Sequence, residues 1–94
     1  MIHHWDFFGV DAKKTAEHFL EHYKEFAQRL SIATSDFGFL SASEQHVCLW
    51  ISITDTTQSS HVEKKLRPRR TLDEAEHQQL LQRVTDALRS PPEQ

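Results

Sequence analysis

Nine residues, His46-Val47-Cys48-Leu49-Trp50-Ile51-Ser52-Ile53-Thr54, constrain this chain more than any other stretch. Read in twos, Val47, Leu49, Ile51 and Ile53 fall on one side, and His46, Cys48, Trp50, Ser52 and Thr54 on the other. Alternation of this kind, rich in β-branched side chains, marks a strand with one face against a core. The stretch is expected to be the central strand of a small sheet, its aliphatic face meeting helices. Its other face is polar except for Trp50, and that exception raises the functional question.

The other elements follow from periodicity. Ile2 to Phe8 reads as a strand with aromatics on both faces, ended by Gly9. Ala12, Ala16, Phe19, Leu20, Tyr23, Phe26, Ala27 and Leu30 recur every three or four residues, the pattern of an amphipathic helix, with Asp11 placed to cap it. Phe37 to Ser43 predicts a second strand, joined to the central one by a hairpin through Ser43-Glu44-Gln45. Ser60-His61-Val62-Glu63 has the spacing of a capping box opening a short helix that Pro68 stops. Thr71-Leu72-Asp73-Glu74 repeats the spacing before a last helix, in which Leu80, Leu81, Val84, Ala87 and Leu88 form the apolar stripe. His77 lies within that stripe.

The expected fold class is α+β: a three-stranded antiparallel or mixed sheet with two main helices on one face, in the order β-α-β-β-short α-α. A strand–helix–strand unit would supply half of a ferredoxin-like split motif, but the pattern shows no final strand for it. Residues 1–90 read as one domain and residues 91–94 as a tail. With 94 residues and a net charge of −3, the chain does not have the balance of a general polyanion binder. The single cysteine, Cys48, excludes an internal disulfide and favours a reducing compartment. No apolar run is long enough to span a membrane, and the first residues lack the pattern of a signal peptide. A cytoplasmic location is therefore expected.

Four constellations bear on function. His18-Phe19-Leu20-Glu21-His22 spells H-x-x-E-H, in which His18 and His22 could share a metal while Glu21 activates its water. It falls on the polar face of the amphipathic helix, so a solvated surface is the simpler expectation. His46 and Cys48 share a strand face, and with His3 or His4 they could approach a metal. Lys64, Lys65, Arg67, Arg69 and Arg70 gather five of the eleven Lys and Arg residues between two helices, a candidate polyanion contact. No aromatic interleaves them, which argues against base stacking.

The fourth is Trp50 itself. The face carrying it also carries Cys48 and one aromatic set of the first strand, either Trp5 with Phe7 or Phe8 with Ile2. A covered Trp buries roughly 200 Å², so a wet aromatic patch marks an interface unless the chain covers it. Trp50, Trp5 and Cys48 are the interface candidates. The expectation is a non-catalytic module without a cofactor that homodimerises or binds a protein partner through this aromatic sheet face. A metal-dependent site at His18, Glu21 and His22 and weak polyanion binding through residues 64–70 are the alternatives.

Overall fold

The computed structural model describes residues 1–89, with side chains through Asp86. The elements are β1 (Ile2–Phe8), α1 (Ala12–Arg29), β2 (Asp36–Ser43), β3 (His46–Ser52), α2 (Thr56–Leu66), β4 (Arg70–Leu72) and α3 (Glu74–Arg89). The sheet is antiparallel with strand order β2-β3-β1-β4. The fold class is the expected α+β, but the sheet has four strands rather than three. The fourth, β4, completes the split β-α-β-β-α-β topology of ferredoxin-like folds. Three residues are too few to show a period, so β4 arises from backbone pairing with β1, Ile2 opposite Leu72 and His4 opposite Arg70.

Strand register assigns the two faces. Trp5 pairs with Leu49, His3 with Ile51 and Phe7 with Val47, so these lie together on one face. There Trp5, Leu49, Ile51 and Ile53 pack with Leu20, Tyr23 and Ala27 of α1 and Val62 of α2. Leu49, Ile51, Ile53 and Val62 are fully buried. The buried positions of α1, Ala12, Ala16, Leu20, Tyr23 and Ala27, belong to the expected stripe, whose last member, Leu30, lies past the helix end and is exposed. At the end of β1, Gly9 adopts a φ of 107°, a region open to glycine, and its N–H donates to the Gln45 carbonyl.

The opposite face carries Ile2, His4, Asp6 and Phe8 of β1, Trp50 and Cys48 of β3, and Leu40 of β2. α3 crosses this face rather than joining α1 and α2. Its His77 meets both His4 and Trp50. The expectation of both main helices on one face is corrected accordingly. α1 and α2 already occupy the first face, and Ile2, Trp50 and Leu40 on the otherwise polar second face favour cover, so the last helix is drawn to it.

Three helix caps also differ. Asp11 stands at the N-cap of α1 but its carboxylate makes no cap hydrogen bond. α2 begins four residues before Ser60, because the Asp55 carboxylate accepts the Gln58 N–H at 2.9 Å. The capping box of α3 is Asp73 with Glu76, not Thr71 with Glu74: each carboxylate accepts the other residue's backbone N–H. Thr71 instead lies in β4, where its hydroxyl meets His3. The side chains of Ala87 and Leu88 and the tail at 91–94 lie outside the described residues.

Candidate functional site

The polar core of the molecule lies on the α3 side of the sheet. His4 projects from the middle of β1 and is fully buried. Its Nδ1 sits 3.3 Å from the Cys48 Sγ on β3, and its Nε2 3.1 Å from the Nδ1 of His77 on α3. The three groups form a chain running from strand to helix. Burial pushes the His4 imidazole down to about 4, helped by the neighbouring Arg70 and His77. Burial also lowers His77, against a smaller opposing effect of Glu74. At neutral pH both imidazoles are therefore neutral, and each link joins a single donor to a single acceptor.

Beside this chain, Arg70 of β4 donates from both terminal nitrogens to Asp6 of β1, at 2.8 and 3.2 Å. His46 meets the same carboxylate at 3.3 Å. Burial alone would raise the Asp6 carboxyl, but the hydrogen bonds from Arg70 and His46 outweigh it and hold it below its ordinary value. Arg70 is raised in turn, chiefly by its hydrogen bond to Asp6.

Cys48 lies next to this pair and is buried. Desolvation, with Asp6 adding to it, pushes its thiol up to about 12. A thiol so disposed is not a nucleophile at neutral pH. Nor do His4, Cys48 and His77 form a metal centre. The two ring nitrogens of His4 point to Cys48 and His77 on opposite sides, so no one ion can sit between all three. Among the described residues no group of three or more His, Cys, Asp or Glu side chains is arranged to hold a metal ion.

Trp50 occupies the adjoining position. It pairs across strands with Gly38, and its indole lies over that glycine: a Cβ at Gly38 would stand 2.7 Å from the ring. On the other side the His77 ring is 4.7 Å away. A cleft of about 280 Å³ opens here between α3 and the strand ends. Its sheet side is formed by Ile2, Asp36, Trp50 and Ser52, and its helix side by Glu74, His77, Gln78 and Leu81. His77 is 2% exposed, and its Nε2 is buried with no hydrogen-bond partner.

The structure separates the three interface candidates. Trp5 is buried on the opposite face, beneath α1 and α2, its indole N–H donating to the Leu66 carbonyl at 3.0 Å. Cys48 is buried on the α3 side, and Trp50 is partly covered there by α3. Phe8, at the far end of the same face, is 71% exposed and stacks on His46. His18, Glu21 and His22 all lie exposed on the outer face of α1. Of the basic run, Lys64, Lys65, Arg67 and Arg69 are exposed, while Arg70 turns inward to Asp6.

A second polar chain, outside the sequence expectations, lies on the α1 and α2 side: His3 bonds Ser59 at 2.7 Å and Thr71 at 2.9 Å. Sequence reasoning identified His77 and weighed His4 with Cys48. It named Arg70 only within the basic run and missed its pairing with Asp6, 64 positions away, which carries no local signal.

No helix among the described residues is long and apolar enough to cross a membrane. No protein-family model matches this chain, and no curated protein or solved structure matches it at a significant level.

Proposed function

We propose that the protein is a non-catalytic module that homodimerises by pairing two copies of β2 edge to edge. The observation that carries this reading is the outer edge of β2. In the order β2-β3-β1-β4, β2 is terminal, with eight residues. An unpaired edge is a row of free N–H and C=O groups, which proteins normally blunt with lysine, proline or a bulge. The sequence Asp36-Phe37-Gly38-Phe39-Leu40-Ser41-Ala42-Ser43 holds no lysine, arginine or proline, and its bulge falls only at Ser41/Ser43. The other edge, β4, is three residues long and offers little to pair with.

Antiparallel addition about a two-fold axis suits this strand. A register centred on Phe39 keeps Phe37 and Phe39 on the α1 side in both copies. It sets the two Asp36 carboxylates ~20 Å apart, at ~3.4 Å per residue. Phe37, 42% exposed in the single chain, would gain cover at the seam. Cys48, buried and with its thiol pushed up to about 12, is not placed to act as a nucleophile.

Light scattering coupled to size exclusion tests the proposal. The wild type is expected at twice the chain mass of 11.0 kDa. Phe37→Lys places a charge on the edge and is expected to give a folded monomer. Phe8→Lys, at the separate exposed aromatic on β1, is expected to stay dimeric. A wild type that remains monomeric at high concentration refutes the reading. A dimer lost in Phe8→Lys but kept in Phe37→Lys moves the interface to the aromatic end of the α3-side face.

A further inference from the structure

We propose that the cleft between α3 and the sheet is a binding site for a small organic ammonium ion. This goes beyond the pairing of β2 and does not depend on it.

Three features converge. First, carboxylates stand on both walls, Asp36 on the sheet side and Glu74 on the helix side, and no lysine or arginine lines the space between them. One oxygen of each is already engaged, Asp36 Oδ1 by the Phe37 N–H and Glu74 Oε2 by the Gln78 amide. Among the described residues, the second oxygen of each accepts no hydrogen bond. Second, the cleft is floored by Trp50, whose indole is held by Gly38 on one side and His77 on the other. An indole beside two carboxylates is the combination that favours a cation over a neutral or anionic guest.

Third, His77 forms part of the cleft wall, and its Nε2 is buried without a partner. Buried polar atoms are normally satisfied, and an exception in an otherwise well-bonded core calls for a cause. The Cys48 S–H faces the Leu49 carbonyl, which leaves Sγ to accept from His4 Nδ1–H; in the tautomers that match, His77 Nδ1–H donates to His4 Nε2 and the His77 Nε2 is an acceptor. An N–H entering from the cleft would satisfy it with a small shift of the ring. Leu81 and Ile2 supply an apolar surface for a short alkyl chain. The guest is thus a primary or secondary amine in its protonated form, carried on a few carbons.

An NMR titration of the full chain near pH 7.5 tests this. The probe is n-butylammonium chloride, and the controls are 1-butanol and sodium butyrate. Saturable movement of the Trp50 indole N–H and His77 amide signals is expected with n-butylammonium alone, with the Trp5 indole signal unmoved. Asp36 and Glu74 are exposed, so Asp36→Asn with Glu74→Gln should fold normally and bind about tenfold more weakly or worse. The proposal is overturned if n-butylammonium gives no saturable shift. It is equally overturned if butanol moves the same signals to the same extent, or if the double variant keeps wild-type affinity.

Discussion

Acid should loosen this protein through the His4–His77 contact, and the size of the effect can be worked out. His4 is fully buried and held near 4, against an ordinary value of 6.5. A histidine lowered on folding binds its proton more readily in the unfolded chain. Its contribution is therefore complete above pH ~6.5 and is lost as pH falls through 6.5 towards 4. Linkage for this one group gives a loss of about 2 kcal/mol between pH 7 and 5, rising to about 3 kcal/mol near pH 4. Against the ~5–15 kcal/mol typical of a small domain, that is a large fraction. His77 and His3 are lowered too, each chiefly by burial, and add to the slope in the same direction.

The assay is urea unfolding at pH 7 and pH 5, for the wild type and for His4→Leu combined with His77→Leu. Removing both imidazoles together avoids leaving one without its partner. The wild type is expected to lose at least ~2 kcal/mol over this interval, and the double variant to lose most of that difference. The residue of the slope belongs to His3, which stays bonded to Ser59 and Thr71. A double variant with an undiminished slope refutes the reasoning. So does an NMR titration placing His4 at or above 6.5.

Gly38→Ala should cost about 1–3 kcal/mol, because its Cβ would stand 2.7 Å from the Trp50 ring and the indole must leave its seat; chemical denaturation and the Trp50 indole signal would show it. Cys48 should react with a thiol reagent at pH 8 only as fast as the chain unfolds, since its thiol is buried and lies at about 12; rapid labelling of the native protein contradicts this. Asp6→Asn should destabilise by about 2 kcal/mol or more, because Arg70 loses its bidentate partner at a partly buried site, and thermal unfolding measures it. His18→Gln with His22→Gln should leave stability within about ±0.5 kcal/mol, as both lie on the exposed side of α1; stoichiometric zinc in wild-type protein purified without an affinity tag, absent from this variant, would restore the metal reading.

Local periodicity was enough to define β3 and the stripe of α1. Val47, Leu49, Ile51 and Ile53 must share a face, and Ala16, Leu20, Tyr23 and Ala27 must meet it, because both periods are local consequences of backbone geometry. It also placed His77 in a buried stripe, where the structure finds it. What it could not show depends on contacts between distant segments. β4 exists because Arg70, Thr71 and Leu72 meet the free edge of β1, an interaction that leaves no period in three residues. The side taken by α3 was decided by competition for sheet surface: α1 and α2 filled one face, so the last helix covered Trp50 on the other. Periodicity left either Trp5 with Phe7 or Phe8 with Ile2 to share the face of Trp50; the β1–β3 register sets Phe8 and Ile2 there and Trp5 opposite, since Trp5 pairs with Leu49 and His4 with Trp50. The site followed from that register. His4 was carried beneath α3 to His77, and Asp6 to Arg70, pairings set by burial and charge across the whole fold rather than by any neighbour in the chain.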